Sequence, residues 1–475
     1  MNIRRNIHSL FPGPEIEIAA LREGVAVMQS RDPEDPTSWT YQANIHANQC
    51  QHSSFFFLSW HRMYIYFFEC ILRDASGDSN LALPYWDYSN TAHLALPLPF
   101  REPADASNPL YVERRNPRIN DGFLIPESLV LHTQAFNLVD FTPPPNSNLS
   151  FGGRRVPGPH HFGGPFGSLE NTPHNQIHTQ VGGTDPPLPP GWMATALSPH
   201  DPIFWLHHAN IDRLWKRWLD QGGNRKNPVD DDVWMDTAFT FFDENSQEVS
   251  ITGRDVLETV SQLGYRYDDD PPGPPRVPFA AEVVTAEVEL AAEERQPTLL
   301  GASGGVNMIE LRAEPVTVPI EVDEETKEAV ARRAAAEVVE KRVVLNLEGI
   351  QYDRNPGVSY EVYINLPEGQ EPDYQSEYFV GSLGFFGLEP DHNHGGPGHE
   401  AEGHQQPSAM VSFDITPNVR ALQARREWQE GQITTTFVMR GLVPPPGYEA
   451  AADVTLRTEQ PAGRPRMERV TLTTE

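Results

Sequence analysis

Two groups of histidines in this 475-residue chain have spacings that could hold metal. His174-Asn-Gln-Ile-His178 places two imidazoles four residues apart, and adjacent His207 and His208 follow downstream. Residues i and i+4 share one helix face, so the first pair can grip one ion together. One member of the second pair then completes a set of three nitrogen ligands, and spacing does not choose between them. A second set lies upstream in His46, Cys50-Gln-His52 and His61. Imidazole-only coordination suits copper, zinc, iron or nickel, and neither set supplies the carboxylates that magnesium, calcium or a di-iron bundle would use. Two three-histidine sets predict a dinuclear site.

Helices must position them. After the Asp201-Pro202 breaker, Ile203, Phe204, Leu206, Ile211, Leu214, Trp215 and Trp218 recur at roughly helical spacing, which predicts a helix bound for a core. His207, His208, Asp212 and Arg213 on such a helix cost stability unless they are hydrogen-bonded, paired or bound to metal. Phe55 to Glu69 is a second aromatic-rich helix, and it carries His61.

Phe56 to Glu69, with His52 nine residues before His61, and Asp201 to Asp212 resemble the two copper signatures of the tyrosinase, catechol oxidase and molluscan haemocyanin family. The likeness extends over roughly the first 270 residues. Carried across by position, it implies that His46, His52 and His61 bind copper A, that His174, His178 and His208 bind copper B, and that His207 is a non-ligating neighbour. The six-residue step from His46 to His52 is shorter than in many relatives. The resemblance further implies a type-3 site of two copper ions, O2 as co-substrate, and a small phenolic substrate oxidised to an o-quinone. A catechol or o-aminophenol oxidase without monophenolase activity would share these ligands, as would a haemocyanin-like oxygen carrier.

The same likeness assigns further residues. Cys50-Gln-His52 is similar to the fungal enzymes and molluscan haemocyanins in which that cysteine forms a thioether with the histidine two residues on. Glu170, four residues before His174, resembles the glutamate that orients a water beside copper B in plant-type relatives; Asn175 follows the ligand as in relatives that hydroxylate monophenols. Such a water can act as general base for a phenol, whose pKa near 10 leaves little phenolate at neutral pH. Thr195 stands where plant enzymes carry a bulky gate over copper A, which implies a more open pocket. Asp212, Asn210 and His207 are candidates for orienting the imidazoles, while Arg62 and Arg213 are expected to pair with buried carboxylates. His160 and His161, in a Pro/Gly-rich loop, are expected to face solvent.

The formal charge of −30 argues against nucleic acid or an anionic membrane as partner. No apolar stretch is long enough to cross a bilayer, and Phe11-Pro-Gly-Pro follows the first residues where a signal peptide needs an apolar run, so a cytoplasmic location is expected. Two cysteines exclude a disulfide framework. The chain divides into a mainly α-helical copper domain over 1–270, with a four-helix bundle core and long loops; a linker and connector over 271–340, including a helical Glu324 to Glu340; and a C-terminal domain over 341–475. That last part alternates with period two, as in Ser359-Tyr-Glu-Val-Tyr-Ile and Ile433-Thr-Thr-Thr-Phe-Val-Met, which predicts an all-β sandwich. It is similar to the C-terminal domain of plant polyphenol oxidases and haemocyanin units, which can cover the active site. His392, His394, His399 and His404 fall in a loop expected to be solvated.

Overall fold

The computed structural model describes residues 1–11, 16–161, 165–183, 189–270, 297–305, 308–322, 342–388, 409–428, 433–448, 461 and 463–475. The expected helix at Glu324 to Glu340 and the loop of His392 to His404 lie outside these residues. Among the described residues no helix is long and apolar enough to cross a membrane.

Five helices dominate the first part: α1 (Ile16–Ser30), α2 (Trp39–Gln49), α3 (Phe57–Ser76), α4 (Gln176–Gly182) and α5 (Ile203–Asp220). The sequence of α3 is apolar on nearly every face, and a helix hydrophobic all round must be enclosed; α1 covers one side and α5 another. Phe68 of α3 stacks on Trp205 of α5 at 3.4 Å between ring centroids. Among its described residues the stretch from 96 to 167 contributes short helical turns, as its Pro, Gly and Asn content predicts.

A buried charge network locks α3 to α5. Asp212 accepts from Arg62 Nε at 2.5 Å, from the hydroxyls of Tyr265 and Tyr267 at 2.6 and 2.5 Å, and from Arg4 at 3.4 Å. Arg4 also donates to Glu69 at 2.8 Å. It reaches this point because β1 (Asn2–Arg4) pairs in parallel with β2 (Tyr265–Tyr267), joining the two ends of the helical part. Arg213 pairs with Asp87 and Asp269, so both arginines do meet carboxylates.

Among the described residues the second part is dominated by an eight-stranded antiparallel sheet, beside which Ile309–Glu310 pairs with Arg466–Met467 as a separate two-stranded ribbon. The strands of the sheet are β3 (Thr298–Ser303), β4 (Val316–Glu321), β5 (Val343–Glu348), β6 (Ser359–Ile364), β7 (Phe379–Leu383), β8 (Met410–Asp414), β9 (Ile433–Arg440) and β10 (Arg469–Thr474), in the spatial order β7-β6-β9-β4-β3-β10-β5-β8. Three expectations change. First, β3 and β4 come from the stretch 271–340 taken as linker and connector. Gly301 and Pro319 weaken their strand signal, and β3 reaches only Ile320 and Glu321 of β4 beyond that proline. Second, one sheet curls until its edges β7 and β8 face each other, in place of two hydrogen-bonded sheets. A Cβ on Gly381 of β7 would lie 2.7 Å from the Phe413 ring of β8. Third, a helix, α6 (Thr416–Ala424), follows β8, so this part is not all β.

Removing one partner of a fully buried ion pair leaves the other uncompensated, so Arg62→Ala should lower the unfolding free energy by about 3–5 kcal/mol. Urea denaturation of the two proteins checks this, and a loss below about 1 kcal/mol would show that the network does not hold α3 to α5.

Candidate metal centre

Each histidine of the two sets is aimed by a local device. On α3, His61 Nδ1 donates 2.8 Å to the carbonyl of Phe57, one turn back. His46 near the end of α2 donates to the carbonyl of Ala196 at 2.7 Å, and His178 on α4 to that of Met193 at 2.7 Å. His174 donates to Asn175 Oδ1 at 2.8 Å. A carbonyl can only accept, so these four rings carry their proton on Nδ1 and a lone pair on Nε2. All four Nε2 atoms are buried without a hydrogen-bond partner, as are both ring nitrogens of His208.

Backbone irregularity sets the spacing. Pro173 excludes its predecessor from the helical region, and Thr172 is extended at φ −144, ψ 119. The chain re-enters helix just beyond, bringing His174 and His178 to 4.6 Å between centroids. Gly182 ends that helix against the turn bearing Met193; a Cβ there would lie 2.3 Å from Ala194 N, so only glycine lets the carbonyl of Met193 reach His178.

The rings converge. His46, His52 and His61 lie 5.1 to 5.6 Å from one another by centroid, and His208 is 5.0 Å from His174 and 5.8 Å from His178. The two sets touch where His61 stacks on His208 at 4.2 Å. Phe57 and Phe204 wall the centre, each against rings of both sets. Donor atoms of His46, Cys50 and His52 fall within 4.8 Å of one another, and so do those of His174, His178, His207 and His208. His207 thus lies in the same cluster as His208, its Nδ1 3.0 Å from the Tyr88 hydroxyl.

Burial and mutual repulsion keep these rings neutral. The pKa falls to about 3 for His46 and His174 and well below the usual value for His52, His61, His178, His207 and His208. Neutral imidazoles with buried, unpartnered lone pairs are what a metal requires. Neither donor cluster includes a carboxylate, so the set fits copper and not a hard cation.

The other expected residues take specific positions. Glu170 is fully buried and accepts the Ser53 N–H with both oxygens, at 2.9 and 3.0 Å; burial raises its pKa well above the carboxylate range. Ser53 has φ 53, so the carboxylate braces a left-handed turn directly after His52. The Nδ2 of Asn175 is buried without a partner. The Thr195 hydroxyl closes a turn, donating to Trp192 O at 2.9 Å and accepting Leu197 N–H at 3.2 Å. Cys50 Sγ lies 3.4 Å from His161 Nδ1.

Two expectations are corrected. His160 and His161 are half-buried instead of solvent-facing, because the loop from Arg154 straps the His52 segment through Phe55 N to Arg154 O and His52 N to His160 O. Asp212 and Asn210 orient no imidazole: Asp212 is taken by arginines and tyrosines, and Asn210 accepts from Arg213. Backbone carbonyls and Asn175 do that work, a role no side-chain pattern announces. Phe386 also escaped the sequence reading. It follows β7, is buried, and stacks on His178 at 3.9 Å and 11° while reaching within 6.1 Å of His52. Its one signal was an apolar Phe385-Phe386 pair between Gly384 and Gly387.

The common central domain of tyrosinase matches residues 36–118 and 107–221, the polyphenol oxidase middle domain matches 228–274, and a domain of unknown function matches 296–454. A tyrosinase of Hahella sp. is 31% identical, covering 92% of this chain and 95% of its own. Aureusidin synthase of Antirrhinum majus is 30% identical over 78% of this chain and 68% of its own, and a chloroplastic polyphenol oxidase of Malus domestica 29% over 78% and 66%. The solved structure of latent apple tyrosinase superposes with a TM-score of 0.65 at 20% identity, over 100% of this chain and 97% of that one. Latent aurone synthase gives 0.63 at 22%, over 99% and 89%.

Elemental analysis should find two copper ions per chain. Chelation should lower the melting temperature, since a ligand bound only to the folded state stabilises it by mass action. His61→Ala and His208→Ala should each bind less copper and recover less on its return; unchanged copper content in the double variant would place the metal elsewhere.

Proposed function

Because the chain belongs to the tyrosinase and polyphenol oxidase family of copper oxidoreductases acting on phenols, we propose that it is tyrosinase-like, hydroxylating monophenols and oxidising catechols to o-quinones. The observation that carries this reading is the convergence of buried, neutral imidazoles with unpartnered nitrogens from two sets that meet at His61 and His208. We assign His46, His52 and His61 to copper A and His174, His178 and His208 to copper B. Copper bound there supplies the electron transfer that couples O2 reduction to phenol oxidation.

The protein's own residues do the rest. Carbonyls of Phe57, Ala196 and Met193, with Asn175 Oδ1, hold four rings against rotation. Glu170 and Asn175 flank His174, and the free Nδ2 of Asn175 can hold a water whose acceptor partner is Glu170. In this reading that water takes the phenol proton before hydroxylation. Cys50 is assigned a thioether to His52, which would fix the one ligand carried on a loop. The four histidine-bearing helices form a four-helix core within a copper domain over 1–270, and the sheet domain that follows covers its site.

Phe386 favours a second element of the reading. Its ring lies on His178 where an aromatic substrate would stack, so the covering domain holds the enzyme in a closed, latent form. The small Thr195 leaves access to be set by Phe386. A carrier of haemocyanin type would also be closed in this way, and a catechol or o-aminophenol oxidase would share every ligand.

Oxygen uptake by the copper-loaded protein, with a monophenol and its catechol side by side, separates these. A tyrosinase uses both, loses both with His208→Ala, and loses the monophenol arm first with Glu170→Gln, since a positioned base contributes roughly 100-fold or more. Uptake with catechol alone would leave a catechol oxidase. Phe386→Ala should raise kcat/KM on catechol by at least about tenfold, the scale of one buried aromatic contact; no uptake in that variant despite bound copper would favour the carrier.

A further inference from the structure

The aromatic rings against the six assigned copper ligands are of two kinds. Phe57, Phe204 and Phe386 between them lie against rings of all six. A phenylalanine ring gives up an electron only with difficulty, whereas an indole or a phenol does so readily. Rings of that second kind stand on the His46 and His61 side. Trp60 lies 4.9 Å from His61 and 6.1 Å from His46 by centroid, and Tyr64 lies 6.2 Å from His46. Four residues apart, Trp60 and Tyr64 share one face of α3.

Oxidisable rings continue outward from there. Trp60 is 4.9 Å from Tyr64, Tyr64 is 4.8 Å from Trp205 of α5, and Trp205 is 6.2 Å from Trp39 at the start of α2. Trp60, Tyr64 and Trp205 are at most 1% exposed, and Trp39 reaches 5%. Burial disfavours a cation on any of the inner rings, so a positive hole moves toward the edge. It stops at Trp39. Trp192 follows through His200, but the Arg114 guanidinium sits 3.7 Å from the Trp192 ring centroid, and that fixed cation opposes a second one. Another pair of such rings, Tyr88 and Trp86, reaches His207, which is outside the assigned ligands, and leads to Trp86, fully buried.

We propose that Trp60, Tyr64, Trp205 and Trp39 form an electron relay that carries a stray oxidising equivalent from the copper centre to a small reductant at the protein edge when no phenol is present. In each passage an outside one-electron donor of the ascorbate class fills the hole on Trp39 and releases its own proton to water. The centre is reduced by that one electron, and no bond along the relay forms or breaks. Tyr64 donates to the carbonyl of Gln42, Trp39 to that of His200, and Trp205 Nε1 has no partner, so none of the three meets a base that would take its proton. The ligand imidazoles are thereby spared oxidation. The relay rests on the copper assignment above.

Hydrogen peroxide, added without phenol to the full-length, copper-loaded protein, supplies the oxidant, and copper content is measured on the same sample. Freeze-quench EPR should show an indole radical, identified by its narrowing with ring-deuterated tryptophan, and peptide mass mapping should find oxygenated Trp39. Trp205→Phe should lose the Trp39 product and gain oxidised His46 and His61, while Trp86→Phe, a buried tryptophan off the path, should behave as the unaltered protein. Should Trp205→Phe fail to fold, Trp39→Phe carries the test with the same gain at the ligands. Ligand oxidation unchanged in the relay variants, or equally raised in Trp86→Phe, would overturn the proposal. Bound copper with no indole radical would overturn it and leave the copper reading standing, whereas a chain that binds no copper would overturn both.

Discussion

The helical domain answers to one constraint: ring nitrogens must be held deep in the protein, uncharged and without hydrogen-bond partners. Left to itself such a nitrogen would turn toward any donor in reach, and His46, His61, His174 and His178 are each prevented from doing so by a bond on the opposite side of the ring. Those bonds come mostly from backbone carbonyls at positions fixed by turns, such as the one closed by Thr195 and the one pressed against Gly182. The aromatic packing of α3 and α5 supplies the dry surroundings, and the Asp212 network supplies the rigidity without adding a charge to the centre.

Much of this was legible because chemistry and periodicity coincide in the same residues. His174 and His178 sit at helical spacing, His61 and His208 sit on helices whose apolar pattern demands burial, and a buried unpaired histidine has few explanations. What stayed hidden was whatever depends on main chain. No sequence pattern predicts that Ala196 or Met193 offers a carbonyl to an imidazole, and Asp212, a natural candidate for that work, was claimed by arginines folded in from positions 4 and 62. The short strands β3 and β4 were obscured by Gly301 and Pro319. The half-burial of His160 and His161 arises from a strap whose pairing with the His52 segment spans about a hundred residues.

The two domains are joined by more than one surface. Gln176, two residues before His178, donates to Ser382 O, and Asn171 does the same, so the segment that carries His174 and His178 is bonded to the strand that leads to Phe386. Ser382 in turn donates to Ser128 O. The helical domain thereby covers the exposed edge of β7, which would otherwise present unpaired backbone groups.

The pairing of β1 with β2 has a consequence for how Phe386 acts. Asn2 lies beside Tyr265, so the two ends of the helical part meet at one place, and the sheet part is held against it by non-covalent bonds, among them the backbone pair of Leu124 with Val443. Under the proposed covering role, Phe386 acts as an intramolecular ligand whose effective concentration is set by the covalent tether between the two parts, whatever the concentration of protein. Dilution cannot release it. Severing the tether would convert the same aromatic contact into an ordinary bimolecular one, with an affinity that two surfaces must find by diffusion.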